Sequence, residues 1–266
     1  MSWLEPDWPS PPGVRALATD RQGGVSVGPF AALNLGAHVG DEGAAVAENR
    51  ARLRSAAGLP SEPCWLEQVH GTHVLDLEAY LAPDSTRRPV RTALADAPGN
   101  SEPAAPLGPA DAALTRQAGR ICAVLTADCL PVLFASRDGS VIGVAHAGWR
   151  GLAAGVLEAT VTALAAPPDR LLVWLGPAIG VEHFEVGAEV RAAFLDADPG
   201  AADAFHENAR GRYQADLERL ARRRLERAGV KAIFGGGVCT YAEPSRYFSH
   251  RRDGVTGRQA TLIWRA

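Results

Sequence analysis

The sequence predicts an α+β fold: one domain, residues 1–266, built as a layered sandwich of mixed sheets flanked by helices. Two stretches, ICAVLTADCLPVLF and SVIGVAHAG, are too uniformly apolar for a sheet with one wet face. They read as strands covered on both sides. Helical patterns are interleaved with them. In Tyr213–Ala228, for example, Leu217, Leu220, Ala221 and Leu225 fall on one face. Hydrophobic residues make up 47 % of the chain, enough for a sizeable core and too much for wholesale disorder.

In chain order, Ala44 to Ala57 reads as a helix stopped by Gly58 and Pro60. Val74, Leu75 and Leu77 fit a short strand after HGTH. Residues 81–109 are rich in Pro, Ala and Asp without periodicity, and read as a long mobile loop. Strand material resumes at Asp111. The two apolar runs follow, parted by the turn-like SRDGS. Gly151 to Ala166 reads as one helix, ended by Pro167 and Pro168, and LLVWLG as a buried strand. Glu189–Leu195 and Tyr213–Ala228 read as helices, the second closed by Gly229. VKAIFGGG and ATLIW complete the strands. No repeat of solenoid type is present.

A net charge near −3, from 27 basic and 30 acidic residues, carries no broad footprint for nucleic acid. The basic cluster Arg219, Arg222, Arg223, Arg224 and Arg227 is diluted by Asp216, Glu218 and Glu226, and reads as a solvated helix face. MSWLEPDWPSPPG lacks the features of a signal peptide, and no segment reaches the roughly 20 apolar residues of a membrane span. The expectation is a cytoplasmic protein with neither membrane nor nucleic-acid partners; monomer and homodimer both fit. The four cysteines form no CxxC pair and read as thiols.

Three metal-capable residues sit within or at the ends of apolar runs, beside turns: His70 in LEQVHGTHV, Cys129 in LTADCLPVLF and His146 in VAHAGWRG. Sheet ends are where such folds present functional groups. Two imidazoles and a thiolate suit zinc, at about 2.0–2.1 Å from nitrogen and 2.3 Å from sulfur. Three ligands leave a fourth position for water, whose pKa zinc lowers from about 15.7 to roughly 7. His73 lies three residues from His70, on the opposite face of a strand, and is left out.

The same residues permit other readings. His146 and Cys129 fit a buried core as well as a metal site. Cys129 could also be a nucleophile with His146 or His70 as base and Asp128 orienting the histidine. The helix after Gly151, with Arg150 beside it, favours an anion such as phosphate; equally, the glycines could serve only a tight turn.

RQGGVSVGPFAALNLGAHVGD, ENR, QVHG, ADAALT, TADCLPV, HAGWRG, GPAIG, FEVG and FSHRRDGVTGRQATLIW occur in order. With them the chain resembles the laccase-domain family, also called YfiH-like, polyphenol oxidase or peptidoglycan editing factor proteins, over Arg15 to Trp264. The resemblance implies a YfiH-like sandwich and a zinc-dependent purine nucleoside phosphorylase with adenosine deaminase activity. It implies one zinc per chain on His70, Cys129 and His146. It implies phosphate on Arg50, where a planar guanidinium can clamp two oxygens. Asn34, Gln68 and Arg150 lie in matching motifs as pocket residues. In that setting Asp128 is a candidate to carry a proton or to orient a ligand. The substrates implied are phosphate and adenosine, inosine or methylthioadenosine.

The chain departs from the pattern after GPAIG, where Val181, Glu182 and His183 replace the usual proline and cysteine, and at His250 and Gln259. His183, His206 and His250 read as loop or rim residues. Two rival functions remain: a copper polyphenol oxidoreductase, and a non-catalytic cell-wall quality-control factor. Multicopper chemistry needs clustered histidines, whereas this chain has seven and no HxH pair.

Overall fold

Alternate residues along the apolar strands enter different cores, and this alternation creates the layers. In the strand Ile121–Thr126, Ile121, Ala123 and Leu125 enter one core while Cys122 and Val124 enter another. In Leu130–Ser136, Leu133 and Ala135 join Cys122 and Val124, whereas Leu130, Val132 and Phe134 face a third core. The computed structural model describes residues 1–82 and 103–266.

Two sheets form the middle of the sandwich. The first has four antiparallel strands in the order Trp3–Leu4, Val14–Thr19, Gln259–Arg265, Ile121–Thr126. The second has six, in the order Ala232–Gly235, Leu171–Leu175, Leu130–Ser136, Ile142–Ala147, Ala112–Thr115, Val74–Asp76. It is mixed, with parallel pairs at both edges and antiparallel pairs between. The middle core lies between the sheets. The helix Gly43–Ala57 covers the outer face of the first sheet through Leu53, and Val156–Leu164, Ala188–Leu195 and Leu217–Arg227 cover the second. The predicted α+β sandwich is therefore a four-layered one.

Several boundaries differ from the sequence reading, each for a local reason. The run ICAVLTADCLPVLF crosses from one sheet to the other: its first strand pairs with Gln259–Arg265, its second with Ile142–Ala147. The corner falls at Asp128, whose φ of 88° is left-handed. The helix expected from Gly151 to Ala166 is two, Trp149–Ala154 and Val156–Leu164, parted at Gly155 with φ 103°. Tyr213–Ala215 is a strand, and the helix begins only after Asp216, whose carboxylate caps Arg219 N–H. Leu77 starts a short helix, Leu77–Tyr80, because Asp76 caps Glu78 and Ala79.

Of the loop expected over 81–109, residues 83–102 lie outside the described residues. Leu107–Pro109 is a strand parallel to Leu66–Glu67, so the loop ends earlier than predicted. On the basic helix, Arg219 pairs with Asp203 at 2.6 Å, and Arg223 and Arg227 share Asp198. That face is neutralised by carboxylates as well as solvated.

Phe134 is fully buried at the heart of the second sheet. Phe134→Ala is expected to cost ~3–5 kcal/mol, read as a lower midpoint in urea unfolding. A midpoint unchanged from the parent would contradict this packing.

Candidate metal centre

Register brings two of the predicted ligands together. Pro131 pairs with His146 and Leu130 with Ala147 across neighbouring strands. Cys129 therefore leaves the corner beside the end of the Ile142–Ala147 strand. His70 arrives from the loop between Leu66–Glu67 and Val74–Asp76, with a left-handed φ of 60°. One ligand-capable atom from each of His70, Cys129 and His146 lies within 4.8 Å of the others. Cys129 Sγ is 3.8 Å from His70 Nε2, and the two rings meet edge to face with centroids 4.7 Å apart. His146 is buried, Cys129 half-buried and His70 exposed, so the group opens outward on the His70 side.

One buried carboxylate sets this geometry. Asp111, at 0 % exposure, accepts from the backbone N–H groups of Val69, His70 and Gly71 at 3.2, 2.9 and 2.6 Å. Those bonds hold His70 in its left-handed turn. The same carboxylate lies 2.8 Å from His146 Nδ1, and the Asp111 carbonyl accepts His146 N–H at 2.7 Å. With Nδ1 occupied, the tautomer that leaves Nε2 free for a metal is favoured. Burial works against charge on Asp111, but His146 and the turn's N–H groups hold its pKa below the usual carboxylate range. Burial pushes the Cys129 thiol up, yet the positive His146 and hydrogen bonds from His146 and His70 bring it down to about 6.

The glycines that end the strand make room. A Cβ on Gly148 would lie 2.6 Å from His70 Cδ2 and 3.1 Å from Cys129 Sγ; one on Gly151 would lie 2.8 Å from Gly71 O. Only hydrogen fits at either place.

Asp128 makes no hydrogen bond to the ligand side chains among the described residues. Its carboxylate accepts from Thr240 Oγ1 at 2.6 Å, Ser249 Oγ at 3.0 Å and Arg251 N–H at 2.7 Å, tying the corner before Cys129 to the C-terminal segment. Gln68 bonds both backbone groups of Leu125, at 2.7 and 2.8 Å. Asn34 is buried and bonds Gly36, Asp41 and Arg258 N–H, shaping its own loop. Arg50 is 5 % exposed, stacks over Trp65 at 4.3 Å, and donates to Leu35 O and Ala104 O. Arg150 is exposed and lies over Trp149.

Sequence reasoning passed over Asp111, although an acid flanked by alanines at the head of an apolar strand, in ADAALT, was a usable signal. It also passed over His38 and Arg258, although both lie inside quoted motifs, GAHVGD and GRQATLIW. Folding brings His38 within electrostatic reach of His146, and Arg258 within reach of Cys129.

The donor set fits a borderline-soft divalent ion such as zinc: two imidazoles, a thiol readily ionised, and a carboxylate orienting one ring. No other three-donor group forms among the described residues. His73 Nδ1 faces Pro109 O, His250 Nδ1 faces Gly254 O, and His183 stacks on Tyr241.

A layered α+β sandwich with one His–Cys–His cluster at a strand end defines a candidate mononuclear metalloprotein. The chain belongs to the family described as multi-copper polyphenol oxidoreductase laccase, whose model matches residues 15–266. It is 50 % identical over 261 residues to the purine nucleoside phosphorylase YfiH of Escherichia coli, covering 98 % of each chain. It is 52 % identical over 270 residues to a purine nucleoside phosphorylase of Xylella fastidiosa, covering 99 % of this chain and 97 % of that one. The crystal structure of a Neisseria meningitidis DUF152 protein superposes with a TM-score of 0.87 at 43 % identity, covering 100 % of this chain and 99 % of that one.

Two outcomes follow. Asp111→Asn should weaken zinc affinity about 10–100-fold, measured by competition with a chromophoric chelator; unaltered affinity would remove Asp111 from its orienting role. In metal-free protein, alkylation of Cys129 by iodoacetamide should rise through a midpoint near pH 6, because the thiolate reacts and forms above that pH. A midpoint at the ordinary thiol value of about 8.5 would contradict the electrostatics described.

Proposed function

We propose that this chain is a zinc-dependent purine nucleoside phosphorylase acting on adenosine, inosine and methylthioadenosine in the cytoplasm. The observation that carries the proposal is the His70–Cys129–His146 cluster with Asp111 behind it. It occurs in a chain half-identical, end to end, to relatives named for that activity. The copper polyphenol reading has the family description behind it but asks for several clustered histidines, and the described residues offer one three-donor group.

In phosphorolysis a phosphate oxygen bonds to the anomeric carbon of ribose while the carbon–nitrogen bond to the purine breaks. The purine leaves with the electron pair and takes up a proton. Zinc supplies Lewis-acid polarisation when bound. His70, Cys129 and His146 hold it, and Asp111 keeps His146 in the ligating tautomer. Asp128 fixes the corner that carries Cys129 by binding Thr240, Ser249 and Arg251. The exposed His70 side leaves the reacting group an approach.

Adenosine deamination is proposed alongside, on the family resemblance and on the similarity of the donors to the His/Cys sets of zinc deaminases. That chemistry calls for a proton-carrying carboxylate. Asp128 keeps its oxygens on Thr240, Ser249 and Arg251, and Asp111 keeps its own on the His70 turn and His146. This leaves phosphorolysis as the better supported branch.

Zinc-loaded protein given inosine, adenosine or methylthioadenosine should release free base and a ribose 1-phosphate only when phosphate is present. Inosine formed from adenosine would report the deaminase branch. His146→Ala, with folding verified by circular dichroism, should abolish turnover. Turnover persisting in that variant, or bases released equally without phosphate, would end the phosphorylase reading.

A further inference from the structure

Trp3–Leu4 ends the first sheet and Ala232–Gly235 the second, and a cleft of about 310 Å³ lies between these two edges. That is the small end of the range for ligand sites. Its walls come from Leu4, Glu5 and Asp7 on one side and from Trp174, Gly235 and Val238 on the other. Two strands, Leu171–Leu175 and Leu130–Ser136, separate the Ala232–Gly235 edge from the strand that carries His146. The cleft shares no residue with the metal centre.

Its chemistry starts with Trp174. The side chain is 2 % exposed and packs in the middle core, where an indole N–H ordinarily finds an acceptor. Trp174 Nε1 has none among the described residues, yet it is not sealed from solvent. Gly235 explains the opening. A Cβ there would lie 2.5 Å from Nε1 and 2.7 Å from Cδ1, so the N–H edge reaches the cleft because that position holds glycine. The neighbouring backbone acceptors are already used. Leu175 O takes Gly236 N–H at 2.9 Å, and Gly235 O takes Arg222 Nη2 at 2.6 Å. The buried wall therefore offers a ligand one donor.

The rim offers the opposite. Glu5 and Asp7 are exposed, two residues apart on the segment that follows Trp3–Leu4. No cation pairs with either carboxylate among the described residues; Glu5 has only a long contact from Trp3 Nε1, at 3.5 Å. The segment is held on both sides, by Leu4 paired with Ala18 and by Trp8 packed on the middle core. Two uncompensated negative charges are thus carried at a fixed place beside the indole. Half-buried Leu4 and Val238 supply apolar contact between them.

We propose that this cleft is a second binding site, separate from the metal centre, for a small organic cation that carries a hydrogen-bond acceptor. The ammonium or guanidinium group lies on Glu5 and Asp7, the apolar body against Leu4 and Val238, and the acceptor on Trp174 Nε1. The site stands whether or not the chain cleaves nucleosides.

Leucinamide has all three features, and near pH 6.5 its amine is protonated, being below the roughly 7.7–8.0 of an α-amino group. It is titrated into isotope-labelled, zinc-loaded full-length protein while the indole N–H resonances are followed by NMR. The Trp174 resonance is identified by its loss in Trp174→Phe, and that of Trp149, beside the metal centre, in the same way. The first should shift saturably at millimolar leucinamide while the second stays in place. Isocaproamide, which lacks the amine, should bind about tenfold more weakly, because a charge-assisted contact is lost. Glu5→Gln combined with Asp7→Asn, at exposed positions that leave the core untouched, should weaken leucinamide to the same degree. Isoamylamine, which lacks the carbonyl, should bind several-fold more weakly and leave the Trp174 resonance nearly unmoved. In Trp174→Phe, with melting temperature checked, leucinamide affinity read from the Val238 backbone amide should fall several-fold. A Trp174 resonance unmoved by leucinamide, or equal affinity in the parent and the double carboxylate variant, would overturn the site. Isocaproamide binding as tightly as leucinamide would overturn the cationic ligand.

Discussion

The centre depends on one carboxylate. Asp111 is buried with no access to solvent, where an ionised group survives only if donors surround it. Three consecutive backbone N–H groups of the His70 turn and the His146 ring supply them. The dependence is mutual: the donors keep Asp111 charged, and Asp111 keeps a non-glycine residue in a left-handed turn that sterics disfavour. Two of the three proposed ligands are aimed by the same pair of oxygens, so the loop bearing His70 cannot shift without disturbing His146.

The third ligand is aimed by a different device. Cys129 follows a sharp crossing between sheets, and Asp128 stabilises the crossing from within by accepting three hydrogen bonds from the C-terminal segment. Closeness does the rest. Gly148 and Gly151 lack the atom that would separate the strand end from the His70 loop. Backbone strain, buried charge and absent side chains converge at one strand end. Such a concentration of local costs is what a functional site imposes on an otherwise consistent fold.

Much of this was readable from residue order. Uniformly apolar strands announced sheets covered on both faces, and the helix Gly43–Ala57 ends at Gly58 as expected, in a left-handed C-terminal cap. His70, Cys129 and His146 stood out because imidazole or thiol interrupts apolar sequence next to a turn. What escaped was in part conveyed by long-range contact and in part by local breakers and caps that periodicity overran. Nothing local tells that ICAVLTADCLPVLF divides between two sheets, since both halves are equally apolar. Gly155 broke a helix that periodicity carried straight through. Asp216 capped a helix that the pattern had begun earlier. Gln68 and Asn34 were expected at the pocket from the family motifs; the backbone bonds that their amides make to Leu125 and Gly36 were not legible in the sequence. Side-chain chemistry can be read from type; the partner that consumes it cannot.

The order of strands in the first sheet has a consequence for the route of folding. Gln259–Arg265 lies between Val14–Thr19 and Ile121–Thr126, so this sheet closes only when segments remote in sequence have met. The hairpin of Leu130–Ser136 and Ile142–Ala147 in the second sheet needs no such search. Loop-closure entropy delays non-local pairing, so the first sheet is expected to assemble after that hairpin, and the corner at Asp128 to set last.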